Sequence, residues 1–291
     1  MPESLLPILA ILVVLVLAAA AIYGIVQRDR KTAPPPPPAP TIPGARRITI
    51  SFGPQQNAPG LIIPLHSDAE QVKQALGIQQ ARPVIFISGG ASGMSEQDIE
   101  MTQQIIANGI AKFAQEKQIV VIDGGTESGV MKMIGDTRRS AGYTFPLIGV
   151  TPLGKVDFPG HTNPGKEASL ENGHSHFVLV EAQEWGDESE TIVRLTHAIC
   201  AGKTQKALGI LINGGKIAQR DVYLATGKDL NLPILVLEGS GRFADELATA
   251  HKSGQTSEKM LKAILRGDIQ LISTSEGPQG MYKRLVEHFD L

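Results

Sequence analysis

The sequence predicts a doubly wound α/β domain with a mostly parallel sheet, and three observations carry that expectation. First, short apolar runs recur at residues 83–88 (PVIFIS), 119–123 (IVVID), 146–150 (PLIGV), 177–181 (FVLVE), 207–212 (ALGILI), 233–238 (PILVLE) and 269–273 (IQLIS). Most are continuous rather than alternating, as in parallel strands covered on both faces. Second, helical patterns lie between most of them, near 95–117, 128–141, 187–201, 216–227, 241–252, 256–266 and 277–289. Such alternation builds a parallel sheet flanked by helices. Third, small glycine-rich turns follow several strands, and ligands of this architecture bind beyond the carboxyl ends of the strands.

In chain order, residues 1–4 form a short extracytoplasmic N-terminus. Residues 5–26 are an uncharged apolar run, LLPILAILVVLVLAAAAIYGIV. Its length, about 20 residues, is that of a membrane-spanning helix. The preceding MPES lacks Lys and Arg, unlike the basic start of a cleaved signal. A retained single-pass anchor is therefore expected. Arg28, Arg30 and Lys31 follow it, which places the N-terminus outside and the rest of the chain on the cytoplasmic side. Residues 27–45 hold this basic flank and APPPPPAPTIPG, a semi-rigid polyproline spacer. Residues 46–80 read as a short β/α extension: RITISFG and GLIIPL as edge strands, AEQVKQALG as a helix. Residues 81–291 form the main α/β domain, with no linker-like interruption. The stretch 150–173 looks long and structureless, and a loop of that length reads as a lid.

Of 291 residues, 27 are basic and 29 acidic, which speaks against nucleic acid as a partner. The one cysteine, Cys200, lies in an apolar helical pattern; it forms no intrachain disulfide and reads as a small core residue. Self-association is left open by the sequence.

Four strand ends carry glycine-rich turns: Gly89, Gly90 and Gly93 after the first core strand; Gly124, Gly125, Thr126, Glu127 and Gly129 after the second; Gly214 and Gly215 after ALGILI; and Gly239, Ser240, Gly241 and Arg242 after PILVLE. Glycine admits a bulky anion to the backbone, and a helix N-terminus supplies free N–H groups and partial positive charge. Several such turns on one sheet edge point to a phosphate-bearing ligand. On this reading Gly89, Gly90, Gly124, Gly125, Gly239 and Gly241 line one pocket, with Thr126, Ser240 and Arg242 facing a phosphate. Neither G-x-G-x-x-G nor G-x-x-x-x-G-K-[ST] occurs, so no dinucleotide cofactor or NTPase chemistry is indicated.

The strings DGGTESGVM, NGHSHFVLVE and VLEGSGRFADELA, with GGASGMS more loosely, resemble the SLOG superfamily. That superfamily joins Lonely-guy hydrolases, Smf/DprA proteins and the N-terminal domain of melastatin-type TRP channels. The prokaryotic TRPM-type (LSDAT) branch fits best, over about residues 80–255. The resemblance implies a Rossmann-like fold and a ligand-binding sensor for ADP-ribose or a related NAD metabolite. It also implies that Gly124, Gly125, Gly129, Val130 and Met131 match a phosphate-cradling G-G-G-x-x-G-[LV]-M turn, with Thr126 in place of the third glycine. In the hydrolases P-G-G-x-G-T-x-x-E supplies a catalytic glutamate. Here Gly239 and Gly241 match, Arg242 replaces the threonine, and Asp245 stands at the glutamate position. The alternatives are thus a nucleotide N-glycosidic hydrolase using Asp245 and Arg242, or a scaffold whose glycine turns are structural.

His174 and His176 flank Ser175 without a third His or a Cys nearby, so no metal site is expected, and hydrogen-bonding or ligand roles remain for this loop. Asp187, Glu188 and Glu190 sit at a helix start, where they complement its dipole. Trp185, the only tryptophan, reads as core or lid packing. Lys216 and Arg220 are on the helix after Gly215, within reach of an anion or on a solvated face.

Overall fold

The computed structural model describes residues 42–290 apart from Lys203. The anchor expected at 5–26 and nearly all of the proline segment lie outside the described residues. Within them, no helix is long and apolar enough to cross a membrane. The described residues belong to one compact unit, Pro40–Leu291.

The chain opens with an antiparallel hairpin, β1 (Arg46–Gly53) and β2 (Gln56–Pro64), followed by helix α1 (Ala69–Ala75). Strand β3 (Val84–Gly89) leads into a helical run of α2 (Glu96–Ile105), a π turn (Ile106–Ala111) and α3 (Lys112–Lys117). Ser95 and Asp98 start that run with a reciprocal capping box, and Gln118 ends it in the left-handed conformation. Then come β4 (Val120–Asp123), α4 (Gly129–Ser140), β5 (Leu147–Pro152), the two-residue strands β6 (Val156–Asp157) and β7 (Ala168–Ser169), and β8 (His176–Glu181). The remainder is α5 (Ser189–Ile199), β9 (Ala207–Ile212), α6 (Lys216–Ala225), β10 (Ile234–Glu238), α7 (Arg242–Ser253), α8 (Lys259–Ile264), β11 (Ile269–Ser273) and α9 (Gly277–Phe289).

Nine strands form one sheet in the order β1-β2-β8-β5-β4-β3-β9-β10-β11, and every pair but β1–β2 is parallel. The architecture is the expected Rossmann-like one. Alternate residues of each core strand feed opposite layers. Val84 and Phe86 pack with α5, α6 and α7, through Leu195, Val222 and Leu247. Ile85 and Ile87 pack with the π turn, α4 and α9, through Ile106, Ile134 and Leu285. Both faces are therefore dry, which explains the unbroken apolar runs.

Two details differ from the sequence reading. The hairpin at 46–64 is continuous with the main sheet, because β2 pairs in parallel with β8. The 150–173 stretch is not structureless. β6 and β7 pair with each other. Asp157 bonds Lys166 and accepts the Ser169 hydroxyl at 2.8 Å, and Lys155 bridges Glu167 at 2.8 Å. The stretch docks on the β4 turn through Glu127 N–H to Ser169 O (2.8 Å) and Glu171 N–H to Gly125 O (2.9 Å). These are local polar contacts, and local polar contacts leave no hydrophobic period in a sequence.

Candidate functional site

From β3 the chain steps outward to β4, β5 and β8, then returns across the sheet to β9 on the other side of β3. The direction of winding therefore reverses between β3 and β9. A crevice opens there, beyond the carboxyl ends of the strands, where a doubly wound sheet binds ligands. A cleft of about 360 Å³ occupies this place. A larger hollow, about 670 Å³, lies beside α1 and α5. It is lined by solvent-facing groups that already pair, such as Glu190 with Arg194 (2.6 Å) and His66 (3.2 Å), and no core-strand end reaches it.

Of the residues expected at the site, Gly89, Gly90, Gly124, Thr126, Gly215 and Arg242 line the cleft. The others stand elsewhere, for identifiable reasons. Gly125 is buried with φ +67°, and a Cβ there would fall 2.7 Å from Gly149 Cα on β5; it lets the turn lie flat on the neighbouring strand. Glu127 points to the far side, toward Asp157 and Phe158. Gly93 is exposed on the loop before α2. Gly129 packs the start of α4 against Gly90 and Ala91, and Gly214 sits over Ala218 and Leu211. Gly239 and Gly241 shape the β10 turn behind Arg242 and do not line the cleft.

The turns after β9 and β10 are joined. Ser240 Oγ accepts from Asn213 N–H (2.7 Å) and donates to Leu237 O (2.6 Å), and Asn213 Nδ2 donates to Ser240 O (2.8 Å). The Ser240 hydroxyl, buried and bonded in both senses, is thus occupied by the fold rather than turned to a phosphate. Asp245 Oδ1 accepts Gly239 N–H at 2.6 Å and so braces the same turn. Arg242 emerges from it with φ +49°, a left-handed conformation that disfavours any residue with a Cβ. Its guanidinium lies over Gly215, and neither Arg242 nor Lys216 pairs with a carboxylate among the described residues. Two cations without counter-ions stand on one wall beside glycine backbone, which suits an anionic ligand group.

The β4 turn is held from behind by a buried charge network. His174 Nε2 bonds Asp123 Oδ1 at 2.8 Å and its Nδ1 bonds Glu171 Oε2 at 2.7 Å, with all three side chains inaccessible or nearly so. Asp123 Oδ1 also accepts Gly125 N–H (2.7 Å), and Glu171 Oε2 accepts Gly173 N–H (2.8 Å). Burial opposes a charged imidazole, but the two carboxylates outweigh it and raise the His174 pKa to about 9. His174 is therefore an imidazolium that ties the glycine turn to the 157–173 segment.

The inner wall of the cleft holds residues that sequence reasoning missed or explained differently. Asp221 of α6 and Ser88 of β3 meet there, with Ser88 Oγ donating to Asp221 Oδ2 at 2.5 Å. Glu188 also lines the wall and accepts Gly186 N–H at 2.7 Å. Both carboxyls are buried. Burial raises the Glu188 pKa to about 7, with the Asp221 charge adding to it, and burial likewise raises that of Asp221. Glu188 thus does more than complement a helix dipole. An available signal was the carboxylate of Asp221 on the inward face of its helix, one position before Val222. Trp185 lines the cleft and is anchored by Nε1–H to Glu167 Oε2 at 2.7 Å.

Residues 82–283 match the family described as SLOG in TRPM, prokaryote. The match covers most of the chain, and the chain belongs to that family. Among curated relatives, a transient receptor potential channel of Caenorhabditis elegans is 26% identical over 227 residues, 69% of this chain and 11% of the channel. Transient receptor potential cation channel subfamily M member 1 of Mus musculus is 26% identical over 198 residues, 58% of this chain and 12% of its own length. Subfamily M member 6 of Homo sapiens is 27% identical over 214 residues, with shares of 64% and 10%. The matched region thus spans only about a tenth of the length of these channels.

Proposed function

We propose that the domain is a sensor that binds a nucleotide-derived ligand, ADP-ribose or a related NAD metabolite, in the cleft between β3 and β9. The observation that carries this reading is the uncompensated pair Arg242 and Lys216 facing glycine backbone at the point where the sheet reverses its winding. The ligand's nucleotide nature is drawn from the family, and the phosphate-binding end from the charge and the open backbone. We further propose that residues 5–26 hold the chain in the membrane with this domain on the cytoplasmic side. Asp245 Oδ1 accepts the Gly239 N–H, and this bracing contact supports the sensor reading over the hydrolase alternative.

A thermal-shift series on the full chain with ADP-ribose, NAD, ADP and AMP tests the reading. A ligand at a hundred times its Kd should add about 2.7 kcal/mol of stability. No shift with any nucleotide would favour the scaffold alternative, and turnover of a bound nucleotide would favour the hydrolase. Recovery of the protein in the soluble fraction after a carbonate wash would remove the anchor.

A further inference from the structure

We infer that ligand binding in the cleft is proton-linked: Glu188 gains a proton as the anion enters, so the site holds its ligand in neutral to mildly acid surroundings and loosens as they turn alkaline. The inference rests on the nucleotide reading above and adds how that same site is regulated.

The cleft wall carries four ionisable side chains, the cations Lys216 and Arg242 and the carboxyls Glu188 and Asp221. None of the four forms an ion pair among the described residues. With both carboxyls ionised the wall is neutral, and each proton they take leaves it more positive. The two carboxyls are placed differently. Glu188 is 4% exposed, and its carboxyl is met by backbone N–H groups, that of Gly186 at 2.7 Å and its own. The charges facing it are carboxylates, Asp187 beside it on the chain and Asp221 of α6. Asp221 is also buried, but it has two hydroxyl donors, Ser88 at 2.5 Å and Ser189, and the Arg220 guanidinium favours its charge. β3 and the β4 turn bring no charged side chain to the wall. Glu188 is therefore the group that changes charge near neutrality, in keeping with a pKa that burial and Asp221 raise to about 7.

The carboxyl and cationic ends of the cleft feel each other. Asp221 lies five residues after Lys216 on α6, about 7.5 Å along the axis at about 1.5 Å per residue. That is shorter than the screening length of about 10 Å at 0.1 M salt, and a partly buried wall is screened less still. A diphosphate held by Lys216 and Arg242 repels an ionised Glu188, and a proton relieves the repulsion. By reciprocity, the ligand raises the proton affinity of Glu188 and the proton raises the ligand affinity by the same factor. Where Glu188 is already protonated, affinity is level with pH. Where it is ionised, binding must bring a proton, and affinity falls as pH rises.

The test is titration calorimetry on the full chain with ADP-ribose, from about pH 6 to about pH 8.5, on either side of the Glu188 value. The two phosphates of this ligand are joined to each other and esterified at both ends, so its charge is constant over the range. Parent affinity should fall about tenfold, the effect of displacing one group by one pKa unit. Titration near the upper end in buffers of different ionisation heat should show net proton uptake on binding. Glu188→Gln keeps the shape and an acceptor for the Gly186 N–H but cannot ionise. It should bind ADP-ribose at high pH as tightly as the parent does at low pH. If Glu188→Gln does not fold, proton uptake by the parent decides alone. A parent with level affinity and no proton uptake overturns the linkage and leaves the nucleotide reading standing. So does a folded Glu188→Gln that keeps the parent's pH profile. Absence of ADP-ribose binding at every pH overturns both.

Discussion

The turns after β4 and β10 look alike in sequence, two glycine-rich runs between an apolar strand and a helix, yet they are built in opposite ways. The β4 turn is clamped by buried charge: Asp123 accepts its Gly125 N–H and is itself held by His174, which Glu171 holds through the other ring nitrogen. Its glycines mostly serve close packing, and it offers the cleft only Gly124 and Thr126. The β10 turn is braced by neutral and surface contacts, through Ser240, Asn213 and Asp245, and it presents a charged side chain in a strained backbone conformation. One turn places backbone beside the ligand; the other supplies the charge. Glycine content alone does not separate these roles, whereas the partner of each turn does.

The largest expected effect is on the clamp. His174→Ala would leave two carboxylates facing each other in a dry interior, and breaking a buried ion pair by removing one partner costs about 3–5 kcal/mol. Urea denaturation of the full chain checks it. A loss under about 1 kcal/mol, the scale of an exposed pair, would mean that the network is not a clamp at all.

The same network sets a pH dependence. His174 has a pKa raised from 6.5 to about 9, so its contribution is fully present below 6.5 and is lost as pH rises through 9. Glu188, raised from 4.5 to about 7, has the same sign: its protonated form is favoured by the fold, and that advantage disappears as pH rises through 7. Each step is worth about 3 kcal/mol at most, from about 1.4 kcal/mol per pH unit of displacement. Stability should therefore fall between pH 5 and 9.5, in denaturation midpoints taken across that range. Removal of His174 should erase the upper step and leave the lower one.

Glycine roles sharpen the comparison further. At Gly125 a side chain meets the β5 backbone in a left-handed conformation, so Gly125→Val should cost about 3 kcal/mol of stability. At Gly90, which lines the cleft, a Cβ meets nothing within 4 Å. Gly90→Val should change stability by no more than about 0.5 kcal/mol, while hindering the ligand. Paired denaturation and binding measurements on the two variants separate packing glycines from cleft glycines. Equal loss of stability in both would erase the distinction.

Much of this fold was legible because the core strands are buried on both faces and advertise themselves as unbroken runs such as ILVLE and ALGILI. The position of the cleft followed from strand ends and glycines. Its chemistry did not. Asp221 and Ser88 are 133 residues apart, and only the return of the chain to the far side of β3 brings them together. Asp123, His174 and Glu171 likewise meet through the docking of the 157–173 segment, whose polar contacts have no period to read. The residue types of Gly125 and Ser240 suit phosphate, but in each case the fold has a prior use for the same property.

A stability difference of about 1 kcal/mol tests the β10 turn, and its sign runs against intuition. Arg242 holds φ +49° at the start of α7. For a residue with a Cβ that conformation costs about 1–2 kcal/mol, whereas glycine adopts it freely. Arg242→Ala keeps the cost and removes the guanidinium; Arg242→Gly removes both. The two variants should lose ligand affinity alike, by about 1.5–3 kcal/mol, the range for a hydrogen bond to a charged group. They should differ in stability, with Arg242→Gly more stable than Arg242→Ala by about 1 kcal/mol after the extra freedom of glycine in the unfolded chain is subtracted. Denaturation midpoints with matched calorimetry check both halves. Equal stability of the two would show that the backbone at Arg242 is unstrained. Unchanged affinity in both would remove the guanidinium from the site. The expected result, a sturdier protein that has lost its ligand, would mean that strain at the β10 turn is kept because it holds a charge over Gly215 that the β4 turn cannot supply.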